Sequence, residues 1–338
     1  MADAELMDRR KNPFFHRGVA QHFLARRGGR VVGRIAAIEN PAHNEFHGDR
    51  LGFFGWFDVE PDPEAAGALV HAARAWTTAR GLVGVRGPVS YSTNDTCGVL
   101  VEGYEHRPTL MMPWNRPDYD ALLVGAGLRK TKDLVSYWLP TGEPLPERVR
   151  RLSKRALDRA GLTVRTIDMK RWEDEVRVLE RVYDQCWDRN WGFVPMSHDE
   201  FHFTAKNLKM VVDPSIFLIA ERAGEAVGVC GPLPDLNEAL VGLDGRLFPF
   251  GLVRLLARRK KIRNIRYLIM GIVPAVRGKG VDAALLAASY DHVGTRYAGA
   301  EAGWILEDNE RMRSDLENMG GTVTKRYRIY DSDDVRAH

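Results

Sequence analysis

Cysteine is scarce: three residues in 338 (Cys97, Cys186 and Cys230), widely spaced and without a CxxC pair. That excludes a disulfide framework and a cysteine-based zinc site, and it makes a reducing cytoplasm the expected compartment. Long apolar runs are missing too. No stretch approaches the ~18 residues that span a bilayer. The opening segment MADAELMDRRKNPFF lacks the apolar core of a signal peptide. Charge of one sign does not dominate: 49 Lys and Arg against 45 Asp and Glu leave +4, too little to imply nucleic-acid binding by composition. The 32 glycines and 17 prolines follow no G-X-Y period, so nothing is collagen-like or low-complexity. Neither GxxxxGK(S/T) nor GxGxxG occurs, which removes a Walker loop and a Rossmann turn. A GxSxG nucleophile elbow is absent as well.

What is present reads as a folded chain, 44% hydrophobic and 28% charged, of a length that suits about two domains. Apolar runs 21–25 and 30–38 flank Gly28-Gly29 and predict a hairpin. An aromatic strand is expected at 51–58. Asp62-Pro63 then opens a helix to about 80, with Ala66, Leu69, Val70, Ala73 and Trp76 at helical spacing. Strand 83–89, a short helix 119–126 and strand 133–139 complete the first half. Residues 140–146 hold three prolines and a glycine and read as a semi-rigid linker, followed by a basic helix 147–160. The second half repeats the order: strand 162–167, helix 171–187, loop 190–195, helix 197–212, hairpin 217–230, strand 266–273, helix 281–297, strand 302–306, helix 310–319 and strand 322–330. The expected class is α/β with a mixed sheet, built as a tandem repeat of two related halves. The expected division is 1–140, a connecting 141–161 and 162–338.

Arg277-Gly278-Lys279-Gly280 lies between a strand and a helix. Two glycines allow close approach of a backbone, and the free N–H groups of the next helix make an anion site. The helix-end field adds ~0.3–1 kcal/mol. Arg277 and Lys279 add charge, so a phosphate or pyrophosphate is the implied ligand.

This segment resembles the GNAT superfamily of acyl-CoA N-acyltransferases, whose loop reads Arg/Gln-x-x-Gly-x-Gly/Ala. Arg277, Gly280 and Asp282 stand in those places, Asp departing from the usual small residue. Trp304 to Asn309 followed by helix 310–320 is similar to the family's strand, Asn and closing helix. The family's frequent acidic Tyr aligns with Leu316. A narrower resemblance runs over nearly the whole chain. It rests on Gly87 to Tyr104, Met111 to Asn115, Asn190-Trp191-Gly192-Phe193, Pro234 to Asn237, Phe248 to Gly251 and Lys325 to Tyr330. Together these look like the bacterial ceramide synthase-like group of GNAT proteins. The resemblance implies acyl-CoA or an acyl-carrier thioester as donor, with Ile272, Val273, Arg277, Gly278, Lys279, Gly280, Val281, Asp282 and Asn309 around it. Amides near Ile272 and Val273 are the implied oxyanion donors. It also implies an amine acceptor, with a long-chain sphingoid-type amine as one choice and a small polar amine or amino acid as another. Tyr104 begins a segment where that group more often has Phe-Asp-x-Pro-Pro, so the acceptor pocket is expected to differ. A non-catalytic acyl-CoA-binding protein is the third reading, favoured by Asp282 and Leu316.

An alkylammonium must lose a proton before it attacks a thioester, which costs about 4 kcal/mol at neutral pH. A carboxylate base offsets part of that. Glu307, at a strand end, and Asp235, in a Pro/Asn loop, are the candidates. The structural alternatives are a solvated strand end for Glu307 and an Asx-turn with Asn237 for Asp235. Asn94 reads as a turn or as a contact in an interdomain cleft. Asn190, Trp191 and Phe193 read as core or as a substrate channel. Ser197 and Glu200 fit a capping box. His43 and His47 are four apart, but no Glu follows the first His and the segment does not read as a helix, so no metal is expected. Arg254, Arg258, Arg259, Lys260, Lys261, Arg263 and Arg266 alternate with apolar residues. They imply peripheral contact with an anionic membrane surface, the inner membrane; the alternatives are a solvated helix face or extra contacts to the 3′-phosphate of coenzyme A. No nucleic-acid partner is expected.

Overall fold

The computed structural model describes residues 2–142, 144–187, 190–243, 251–294 and 296–336. In chain order the first half holds α1 (Ala2–Met7), β1 (Val19–Arg27), β2 (Arg30–Glu39), α2 (Pro41–His47), β3 (Leu51–Val59), α3 (Pro63–Ala79), β4 (Val83–Gly87), β5 (Val99–Glu102), α4 (Tyr119–Gly125) and β6 (Leu128–Pro140). There follow α5 (Glu147–Ala160), β7 (Leu162–Thr166), α6 (Trp172–Cys186), α7 (His198–Leu208), β8 (Leu218–Arg222), β9 (Glu225–Pro234), α8 (Leu236–Leu240), α9 (Gly251–Arg259), β10 (Asn264–Ile272), α10 (Val281–Val293), β11 (Gly299–Leu306), α11 (Glu310–Asn318), β12 (Thr322–Ser332) and α12 (Asp333–Arg336). The mixed α/β class expected from the sequence is the class observed.

One sheet runs through both halves in the order β1-β2-β3-β4-β12-β6-β11-β10-β9-β8-β7, with β5 beside β12. Pairs β3–β4 and β10–β11 are parallel; the other pairings are antiparallel. The C-terminal strand β12 therefore sits between two strands of the first half, and the sheet does not break at the proline-rich stretch. That stretch is no free connection either. Leu145 is buried, and the Thr141 hydroxyl donates to Tyr297 O at 2.5 Å.

Local chemistry explains α2, a helix that apolar periodicity does not announce. Asn40 caps α2 by accepting the His43 N–H at 3.1 Å, Pro41 occupies its first turn, and Gly48 ends it in the left-handed region at φ 68°. The basic stretch also gains a helix, α9. Helix α10 stops at Val293, four residues earlier than its apolar pattern suggested. Phe248 to Phe250, part of one segment that carries the family resemblance, lie outside the described residues.

The feature that positions the site is a gap in the sheet. β10 pairs with β11 only from Asn264↔Gly299 to Tyr267↔Ala302. On its other side β10 continues to pair with β9 as far as Ile272↔Gly228, through an irregularity between Tyr267 and Ile269. Beyond Tyr267 the two central strands separate and leave a wedge between them.

Candidate active site

The Val273 N–H donates to Val227 O at 3.0 Å. Strand alternation then turns the Met270 and Ile272 amides the other way, toward the side where β11 has departed. The Ile272 N–H thus faces the wedge, whereas Val273 donates its N–H to the neighbouring strand. A Cβ at Gly271 would stand 2.2 Å from the Trp187 ring, so this glycine admits the indole over the wedge.

The glycine turn follows. Gly278 and Gly280 have φ of 75° and 82°, and Gly280 begins α10 without a side-chain cap. First-turn amides of α10 are left for an anion or water, except that of Ala283, which Asp282 accepts at 2.9 Å. Arg277, Gly278, Val281 and Asp282 line the cavity described below; Lys279 and Gly280 do not. Gly280 faces α5 instead, where an added Cβ would meet the Ala156 Cβ at 2.9 Å. The cations are partly engaged by the chain itself. Arg277 donates to Ile272 O at 3.0 Å and Cys186 O at 2.7 Å, and Lys279 donates to Ala275 O at 3.0 Å. Asp282, the residue that departs from the usual loop, is neutralised by Arg311 at 3.0 Å. Arg311 had no signal in the sequence, because only the fold brings α11 to the start of α10.

An apolar cavity of about 630 Å³ opens from this wedge. α6 contributes Leu179 and Tyr183, α7 contributes Phe201 and Leu208, and Phe193 and Phe217 close it. Phe193 is buried and its ring stands 5.8 Å from that of Tyr183. Asn94 also lines the cavity, accepting from Tyr183 Oη at 2.7 Å and donating to Val194 O at 2.9 Å. Leu316 forms part of the wall where the family's Tyr would stand.

A second, open and polar cavity of about 710 Å³ lies beside the first. His43, His47, Asp49 and Arg86 come from the first half. Asn190, Trp191, Leu306 and Asn309 line both cavities and join them. Trp191 is flanked by Arg86 at 5.0 Å and Lys132 at 5.6 Å from its ring centre. Asn309 caps α11 by accepting the Met312 N–H at 3.2 Å.

The remaining expected residues lie elsewhere. Glu307 lines neither cavity: Oε2 pairs with Lys130 at 2.8 Å and Oε1 accepts the Asp133 N–H at 2.9 Å. Asp235 is buried, and its Oδ1 accepts N–H groups of Leu110 at 2.9 Å and Asn237 at 3.1 Å. This is the Asx-type cap that stood as its structural alternative, with burial pushing its carboxyl up to about 6. Asn237 donates to Pro108 O at 3.0 Å, so both residues fasten the halves together. Tyr104 bonds Leu100 O and packs edge-on against Trp114. Arg266 leaves the surface group altogether. Its guanidinium is buried over Trp304, bonds Leu110 O and Gly303 O, and lines the apolar cavity. Burial lowers its pKa to about 10.

Among the described residues, one group could hold a metal ion: Glu180 with His198 and His202. It lines neither cavity, and His198 Nδ1 lies within hydrogen-bond distance of Glu180 Oε1 at 3.0 Å. The Ser197–Glu200 capping box is present.

No family model matches the chain. It is 35% identical over 339 residues to the bacterial ceramide synthase of Caulobacter vibrioides, covering 98% of this chain and 88% of that protein. It is 34% identical over 329 residues to protein YghO of Escherichia coli, covering 95% and 84%. A tandem GNAT protein from the clavulanic acid biosynthesis pathway shares the fold, with a TM-score of 0.55 at 12% identity over 94% of this chain and 84% of that one. So does a GCN5-related glucosamine N-acetyltransferase region of a fungal multi-domain enzyme, with a TM-score of 0.56 at 14% identity over 94% and 33%.

Proposed function

We propose, from the premise that this chain belongs to the bacterial ceramide synthase family, that it transfers a long acyl chain from a CoA thioester to the amino group of a long-chain amine. It is a GNAT-type N-acyltransferase. The observation that carries the finer reading is the pair of joined cavities, one apolar and reached from the wedge, the other polar and open. An acyl chain buried in the first gains ~0.8 kcal/mol per methylene, which an acetyl group forgoes. The volume lies within the usual range for such sites.

The pantetheine arm would enter between β10 and β11, where unpaired strand edges can bond its amides. The first turn of α10 would take the diphosphate. The Ile272 N–H, and Met270 beside it, are aimed where a carbonyl oxygen gains charge as the amine attacks. The ammonium first gives one proton to water; the neutral amine then attacks, the C–N bond forms, the C–S bond breaks, and a second amine proton leaves with the sulfur. Arg277 and Arg311 supply positive charge at the same mouth, and α5, whose Arg148, Arg151, Lys154 and Arg155 are exposed, packs against the turn through Ala156 beside Gly280.

Membrane contact belongs to the same proposal. Among the described residues no helix is long and apolar enough to cross a bilayer. On α9, Val253 and Leu256 are exposed among Arg254, Arg258 and Arg259, with Leu240 and Val241 exposed nearby. Arg258 ties the two segments by bonding Val241 O at 2.5 Å. Such a face suits an anionic lipid surface, ~1 kcal/mol per cation. Binding to vesicles should rise with anionic lipid and fall with salt; equal partitioning to neutral vesicles would remove it.

Incubation with palmitoyl-CoA or acetyl-CoA and a panel of amines, read by mass spectrometry, tests the transfer. Palmitoyl amide on a long-chain amine is the expected product. Free coenzyme A without amide, or turnover of acetyl-CoA on small polar amines alone, would overturn it.

A further inference from the structure

The polar cavity holds a group that the transfer step above does not use. His43 is 2% exposed, yet neither ring nitrogen has a hydrogen-bond partner. Its Nε2 approaches Asp49 Oδ2 only to 3.4 Å, outside bonding geometry. A buried imidazole left in this state destabilises the fold unless something completes it. The ring is also firmly placed. Asn40 holds the start of α2 and donates to Tyr91 O at 3.1 Å, and the rings of His47 and Phe53 lie 4.3 and 4.7 Å away.

The other polar groups of the cavity divide into engaged and available. Arg86 is taken by Asp331 at 2.8 and 2.9 Å, and Asp308 by Lys132 at 2.7 Å. His47 Nε2 lies 2.8 Å from Phe193 O, which can only accept, so Nε2 carries a proton that it donates there. Asp49 has only His43 as an ion-pair neighbour among the described residues. Burial brings His43 down to about 3, aided by His47 and Arg86, so it carries no charge at neutral pH. With Arg86 and Asp308 balanced, Asp49 leaves the cavity with unmatched negative charge.

We propose that this cavity receives the polar head of the acceptor amine, Asp49 pairing with its ammonium and His43 bonding a hydroxyl on a neighbouring carbon. This deepens the transfer reading and rests on it for the ligand's role as acceptor. A neutral imidazole offers one donor and one acceptor, and a hydroxyl is both. The carboxylate selects a cation, and Trp191 and Leu306, which line both cavities, give the first carbons beyond the head group an apolar path toward the wedge. Removing the hydroxyl from the ligand leaves the buried His43 ring unpaired again, which discriminates strongly against the ligand lacking it; Asp49, its side chain 41% exposed, contributes charge selection.

The test uses the whole chain and two soluble probes, 2-amino-1-octanol and octylamine, each titrated by calorimetry and then assayed with palmitoyl-CoA. The native chain should bind the amino alcohol about tenfold tighter. Asp49→Asn should weaken both amines about tenfold or more and leave palmitoyl-CoA affinity unchanged. His43→Phe should erase the hydroxyl preference while keeping octylamine affinity. Equal affinity of the native chain for the two probes overturns the proposal, as do variants that shift CoA affinity as much as amine affinity. Should the probes bind in the expected pattern with no amide formed from any amine, the transfer reading fails and the head-group site stands. Amide formation with an unaltered amine KM in both variants would overturn the head-group site and leave the transfer reading in place.

Discussion

Two buried polar clusters sit in one sheet-based fold and are completed in opposite ways. In the first, Lys325 Nζ lies 2.6 Å from Glu301 Oε2, and Ser136 donates to Glu301 Oε1 at 2.6 Å, with both charged side chains at most 2% exposed. Every strong group there has a partner inside the protein. In the second, His43 is equally buried but unpartnered and faces an open cavity. The difference separates polar burial that fixes strand register from polar burial that waits for a ligand. Glu301 on β11, Lys325 on β12 and Ser136 on β6 bridge the three strands on which the shared sheet depends.

Breaking the completed cluster should have the largest effect. Lys325→Met leaves a buried carboxylate without its cation and should cost about 3–5 kcal/mol in denaturant unfolding, while Lys325→Met with Glu301→Leu should recover much of that. A double variant no more stable than the single would show that the pair contributes more than its mutual compensation.

Asp235 stands between the extremes, bonded at one oxygen and buried at a pKa of about 6 against an ordinary 3.8. The folded chain then keeps a proton that the unfolded chain has lost. The stabilising contribution is complete below about pH 4 and fades as pH rises through 6. Asp235→Asn retains acceptance from Leu110 and Asn237 and should remove this pH dependence, gaining up to about 3 kcal/mol at pH 7. Turnover abolished in a variant of native stability would instead make Asp235 the proton acceptor.

Arg277→Ala with Lys279→Ala should weaken CoA binding about tenfold by calorimetry without unfolding the chain. The internal bonds of Arg277 to Ile272 O and Cys186 O imply some loss of order in the wedge as well. Unchanged affinity would remove the phosphate role of this turn. Smallest of all, His43→Phe should leave the ligand-free chain as stable as before or up to about 1 kcal/mol more so, since an unpartnered ring is replaced by an apolar one. A loss of several kcal/mol by the same denaturation measurement would mean that His43 has a structural partner and that the two clusters are alike.

Much of this was legible from residue order alone. The turn at 277–280 is a local object: a strand, two glycines and a helix start lie within one short segment, so spacing identifies it. The capping signals of Ser197 and Glu200 are equally local. Helix α2 was legible too, and was missed. Asn40-Pro41 and Gly48 are start and stop signals at the right interval, outweighed by the weak apolar periodicity of a seven-residue helix. Arg266 could not have been assigned. Among six surface cations its residue type carries no sign of burial, and its partners Leu110 and Gly303 lie 156 and 37 positions away.

By itself the sequence determined the alternation of strands and helices, their class and the two-glycine turn at 277–280, because these depend on propensity and on contacts within a few residues. Tertiary structure alone decided that β12 threads between β4 and β6, that β10 and β11 part after Tyr267, and that His43 shares a cavity wall with Trp191 and Leu306. Those outcomes depend on which distant surfaces must exclude water together, and neighbouring residues in a chain hold no record of that.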